Sequence, residues 1–96
     1  MFDSVQISLP DLLSFAIDRH VQVLARYNRC EAVLAPHSLF ERHGELFLRA
    51  ATLRYAGRPP RETKLGTFKL TGLSNVRLSG DGFGKNIFET AATVRV

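Results

Sequence analysis

The sequence predicts a mainly β fold with one N-terminal helix, built as a small barrel or sandwich. Three observations predict it. Apolar residues follow helical spacing only near the N-terminus. After His20 the hydrophobic period changes from helical to two. The runs of period two are short and separated by tight-turn chemistry. A closed barrel is favoured because closure removes exposed strand edges, which matters for a chain of 96 residues.

The helix is expected over about residues 9–20. Ser8 reads as its N-cap, Asp11 as the capping-box partner, and Pro10 sits in the first turn, where a missing N–H costs nothing. Leu9, Leu12, Leu13, Ala16 and Ile17 form one apolar stripe. Asp18, Arg19 and His20 close it with polar, partly cationic character, which suits the negative end of the helix dipole.

The first strand is read over 21–27, where Val21, Val23, Ala25 and Tyr27 alternate with Gln22, Leu24 and Arg26. Asn28-Arg29-Cys30 is a turn. A second strand runs from Glu31 to Ala35 and is expected to stop at Pro36, which cannot donate to a ladder. His43-Gly44-Glu45 turns into the longest strand, Leu46 to Tyr55. The segment 57–61, Gly-Arg-Pro-Pro-Arg, is a loop. Strands near 64–70 and 73–78 follow, hinged at Gly72. Ser79-Gly80-Asp81-Gly82 reads as another turn, and Phe88 to Val96 as a last strand.

Composition bounds the function classes. Hydrophobic residues make up 45% and charged residues 23%, so a folded globular domain is expected rather than a disordered chain. No apolar run is long enough for a membrane helix, and a membrane is not an expected partner. The first residues lack a signal-peptide pattern, and Cys30 stands alone. A reducing, cytoplasmic compartment is the expectation. No cofactor is expected, and the size argues against an enzyme with its own cofactor domain.

Charge is segregated. The net charge is +4, with thirteen basic against nine acidic residues. Between Arg42 and Arg77, Glu45 and Glu62 are the only acids, set against seven clustered arginines and lysines beyond Arg42 itself. Arginine dominates the basic set, and its planar fork pairs with phosphate and stacks on bases. Such a field favours anionic partners, although a solvated basic face is an equally simple account.

Motifs for catalysis and metals are weak. His20, His37 and His43 show no metal-ligand spacing with one another or with Cys30. Ser38 follows His37 directly, and neighbours on an extended chain are expected to point to opposite sides. The segment 80–85 resembles a phosphate loop but has Asn86 where serine or threonine is required. The basic and aromatic residues carry more: Arg26 and Tyr27 end the first strand, His37 and Ser38 follow the second, Arg49 shares a face with Phe47, and Lys69 follows Phe68. Together they suit a phosphate group and a stacked base. Each has a structural alternative: Tyr27 and Phe47 as core aromatics, His37 as a partner of a neighbouring carbonyl.

The order of these segments resembles the WYL domain, a ligand-sensing module found mostly in bacterial transcription regulators. The resemblance runs from Leu12 to about Leu78. It rests on Leu13-Ser14-Phe15-Ala16-Ile17 as leading helix, Val21 to Tyr27 as first strand, and Pro36-His37-Ser38-Leu39 in place of a Pro-His-x-Leu segment. Leu46-Phe47-Leu48 stands where the family has Trp-Tyr-Leu, and Phe68-Lys69-Leu70-Thr71-Gly72 where it has Phe-Arg-Leu-Asp-Arg. The resemblance implies a small Sm-like, SH3-type β-barrel behind a short helix. It also implies a basic pocket for single-stranded nucleic acid or a nucleotide, with Tyr27, His37, Ser38, Arg49 and Lys69 at pocket positions. Gly72 occupies the place of the motif's second arginine. No helix-turn-helix is expected in this chain; the resemblance leaves room for a DNA-binding domain in a longer parent chain. The competing expectation is a protein–protein or oligomerisation module without ligand, such as a homodimer paired through strand edges.

Overall fold

A computed structural model describes residues 7–84, 87 and 88. The apolar stripe forms helix α1, Leu9–Arg19. Ser8 Oγ accepts the Asp11 N–H at 3.3 Å, which satisfies one of the amides a helix start leaves unpaired. The helix ends one residue earlier than the sequence predicts, because His20 adopts left-handed backbone (φ 57°) as its C-cap. Leu13 and Ala16 are fully buried, with Leu9, Leu12 and Ile17 packed around them.

Five strands follow: β1 (Val21–Tyr27), β2 (Cys30–Arg42), β3 (Glu45–Tyr55), β4 (Leu65–Lys69) and β5 (Ser74–Gly82). They form one antiparallel sheet in the order β4-β3-β2-β1-β5. The fold is therefore mainly β with one N-terminal helix. Two-residue turns with both φ angles positive join the first three strands: Asn28-Arg29 (52° and 67°) and His43-Gly44 (54° and 79°). A third, Ala56-Gly57 (54° and 83°), closes the end of β3 onto Arg58. This turn geometry matches the strands' own twist and sets the pairing register.

The core lies between α1 and one face of the sheet. Val23, Ala25, Leu34, Leu48 and Ala50 are fully buried there, joined by Leu70 and Leu73 at the β4–β5 connection.

The structure corrects four expectations. The second strand does not stop at Pro36 but continues to Arg42. β1 pairs with β2 only as far as Leu34, and a register shift against β3 follows Pro36. Proline is tolerated in a sheet at such places, where a strand loses a neighbour or bulges. The predicted turn at 79–82 lies inside β5. Leu78 pairs with Val23 and Gly82 with Val21, so the strand bulges outward between them, with Gly80 at φ 93°. Gly72 is not a simple hinge: Leu70–Gly72 forms one 3-10 turn between β4 and β5. Finally, the sheet is not closed into a barrel. β4 and β5 stand at its two ends, and no ladder joins them among the described residues.

The predicted strand 88–96 lies outside the described residues, except for Phe88, which has helical backbone with Ile87. No helix among the described residues is long and apolar enough to cross a membrane.

Candidate functional site

The β2–β3 hairpin builds the site by arithmetic. With His43-Gly44 as a two-residue turn, Arg42 faces Glu45, Phe40 faces Phe47 and Ser38 faces Arg49. Across β3, Arg49 faces Thr67 and Phe47 faces Lys69 on β4. Directly opposed residues share a face, and so do residues two apart on a strand. Ser38, Arg49 and Thr67 thus form one row, Phe40, Phe47 and Lys69 the next, and Arg42 and Glu45 a third. The intervening residues Leu39, Leu48 and Phe68 point to the core face.

Side-chain contacts turn this grid into a platform. The Phe40 and Phe47 rings stack nearly parallel, 5.4 Å apart and inclined by 14°. The Arg42 and Arg49 guanidinium carbons lie 5.6 and 5.7 Å from the Phe40 ring centre, within cation–π range. Lys69 Nζ pairs with Glu45 Oε1 at 3.0 Å, both side chains half exposed. Exposed ion pairs of this kind hold little energy, so an anionic ligand can compete for Lys69. Three cations and one carboxylate leave the platform positive, with flat rings between the cations.

The bulge after Pro36 adds the site's hydrogen-bonding end. His37 Nδ1 and Ser38 Oγ lie 3.1 Å apart. This corrects the expectation that the two side chains diverge; the irregular backbone between Pro36 and Ser38 removes the strict alternation. The His37 ring also meets Phe88 edge-on at 4.8 Å. Beside them, α1 and β2 flank a cleft of about 620 Å³, with Ser14, Phe15 and Asp18 on the helix side and His37 and Ser38 on the strand side. Ser38 lines the cleft and also stands in the platform's first row, so cleft and platform lie on opposite faces of the sheet and meet at the stretch of β2 that has no β1 beside it.

Of the five residues singled out in the sequence, the structure brings four together. Ser38, Arg49 and Lys69 occupy neighbouring register positions on β2, β3 and β4, and His37 stands at the bulge beside Ser38. Tyr27 is not among them. Its ring meets Phe68 edge-on at 5.1 Å, on the core side of the sheet. Tyr27 ends β1, two strands away from Arg49, and Phe68 alternates with Lys69, so the tyrosine faces away from the platform. Gly72 lies beside that tyrosine, where a Cβ would stand 3.8 Å from the Tyr27 ring, so it too stands apart.

Phe40 and Arg42 are the residues that sequence reasoning did not place at the site. Phe47, for which a core position was the structural alternative, is half-buried and stacked on Phe40, and Arg42 faces Glu45 across the same hairpin. The available signal was their equal distance from the His43-Gly44 turn.

The one pKa displacement lies elsewhere. Tyr55 is raised above its usual 10.0, first by a hydrogen bond to the Cys30 side chain, then by burial and by charge on Cys30 and Tyr27. Its hydroxyl also donates to the Tyr27 carbonyl at 3.1 Å. This cluster ties the end of β3 to the β1–β2 turn. No group of three or more His, Cys, Asp or Glu side chains among the described residues could hold a metal ion. Comparison of the chain with protein-family models, curated proteins and solved structures finds no match.

Proposed function

We propose that the chain is a WYL-like regulatory sensor module that binds a phosphate-bearing ligand, single-stranded nucleic acid or a nucleotide, and passes its presence to a transcription regulator. One observation carries the reading: arginines, a lysine and a stacked phenylalanine pair share one sheet face. Arg49, Arg42 and Lys69 neutralise phosphates, Phe40 and Phe47 offer a stacking surface for bases, and His37 and Ser38 donate or accept hydrogen bonds at the bulged end. Tyr27 has no part in this surface. A fold of the Sm-like, SH3-type class is part of the proposal. A leading helix, five antiparallel strands and a 3-10 turn before the last of them support it.

The test is titration of a fluorescently labelled single-stranded hexanucleotide, followed by anisotropy, at low and high salt. A site dominated by phosphate contacts binds at low salt and weakens as salt rises. No binding at low salt overturns the reading.

The competing reading, oligomerisation through strand edges, has its own support. β4 and β5 each lack a second partner strand among the described residues. Sedimentation separates the two: a defined oligomer that persists in Arg49→Ala favours edge pairing, and a strict monomer removes it.

A further inference from the structure

The platform explains where phosphates and bases would lie but uses only His37 and Ser38 of the cleft between α1 and β2, and none of its helix side. Its chemistry differs from the platform's. Arg49, Arg42 and Lys69 lie on the sheet face, whereas the cleft presents the Asp18 carboxylate and the Ser14, Ser38 and His37 polar groups. Apolar side chains, Phe15, Ile17 and Leu39, share the lining. A carboxylate disfavours phosphate by like charge, yet it accepts hydrogen bonds from hydroxyl groups, and two at once from a vicinal pair. Its volume of about 620 Å³ lies within the range of small-ligand pockets. A ligand that turns around the edge of β2 at Ser38, where β1 no longer flanks that strand, therefore meets cations on one face and a hydroxyl-seeking carboxylate on the other.

Resting on the nucleic-acid reading above, we infer that the cleft takes a ribonucleoside unit whose 2′-hydroxyl donates to Asp18, joined by the 3′-hydroxyl where the unit is a strand's 3′ end or a free nucleotide, so that the site selects RNA over DNA. The order of charges sets the polarity of the contact. The phosphate stays with Arg49 on the far side of Ser38, and the sugar turns its hydroxyl edge toward α1. Ser14 and Ser38 supply further donors and acceptors, and Phe15, Ile17 and Leu39 cover the apolar face of the unit. The 2′-hydroxyl is the group that distinguishes RNA from DNA at any single position. Asp18 is exposed on the last turns of the helix, so its replacement leaves the core of the fold intact.

The experiment compares hexa-adenylate RNA with hexa-deoxyadenylate, which share base and length. The wild-type protein is expected to bind the RNA about five- to tenfold more tightly, the effect of a charge-assisted hydrogen bond gained without a new phosphate contact. Asp18→Ala is expected to abolish that ratio by weakening RNA binding, with DNA binding unchanged or tighter. Asp81→Asn removes the same charge on β5, at a residue outside the cleft lining, and is expected to keep the ratio. Equal binding of the two strands by the wild type overturns the inference and leaves the nucleic-acid reading standing, as does a preference that survives Asp18→Ala. Binding of neither strand overturns both. An RNA preference matched by adenosine monophosphate over its deoxy form supports the inference and identifies a free ribonucleotide as a sufficient ligand.

Discussion

Arg49→Ala and Phe40→Ala are expected to damage ligand binding in two different ways. Three platform cations, Arg42, Arg49 and Lys69, lie on one face, so up to three phosphates can be neutralised. At a slope of about −0.7 per phosphate for a single strand, log K should fall by about 2.1 per decade of salt; raising salt from about 50 to about 200 mM then costs roughly 18-fold in affinity. Removing Arg49 leaves two contacts, a slope of about −1.4 and a loss of roughly sevenfold over the same range. Phe40 contributes no charge. Its removal takes away the ring that stacks on Phe47 and that both guanidiniums overlie. A lost base-stacking partner costs about 1–3 kcal/mol at every salt concentration, with the slope unchanged. The assay is anisotropy of a labelled single-stranded hexanucleotide at four or more salt concentrations. A slope that Arg49→Ala leaves at the wild-type value would refute the assignment of Arg49 to phosphate. A change of slope in Phe40→Ala would refute the division of labour between rings and cations.

Three further outcomes test the fold beneath the site. Leu48→Ala removes a fully buried side chain at the centre of β3 and is expected to lower stability by about 2–5 kcal/mol in urea unfolding. Arg29→Gly relieves left-handed backbone at φ 67° and creates the favoured Asn-Gly turn with Asn28, so it is expected to raise stability by about 1 kcal/mol. Tyr55 should make stability sensitive to alkali. Its pKa is raised in the fold above 10.0, so its contribution is complete below the unfolded value and is lost as pH rises through the folded one. Thermal scans from neutral pH upward should show a decline above about pH 10 that is smaller in Tyr55→Phe, and an equal decline in the variant would refute the assignment.

Much of the fold was legible because its signals are local. Helix α1 was visible in its cap, its proline and its stripe, since each lies within a few residues of the others. β1 and β3 were visible in their period of two, and the turns at 28–29 and 43–44 in their residue types. The failures are non-local. Pro36 ends a strand only where the strand needs its N–H, and that depends on how far β1 extends beside β2. The segment 79–82 has the composition of a turn, but pairing with β1 holds it in the sheet as a bulge. Closure into a barrel depends on whether β4 and β5 meet, and no local pattern specifies that encounter.

The site depended on the same boundary. Once β2 is cut at Pro36, Phe40 and Arg42 fall into a loop and cannot face Phe47 and Glu45. Let the strand run on to the His43-Gly44 turn, and the two-residue geometry alone pairs Ser38 with Arg49 and Phe40 with Phe47. The residue types of the platform were therefore readable, but their convergence was a matter of register. Register also separates Tyr27 from the rest. It ends a strand like the other aromatics, yet alternation sends its ring to Phe68 and the core. A cationic, ring-bearing surface is thus a property of the hairpin rather than of any single motif. A one-residue slip would carry Arg49 into the core and Leu48 into water. The burial of Leu48 is what holds Arg49 outward, so the stability of the core and the geometry of the platform rise and fall together.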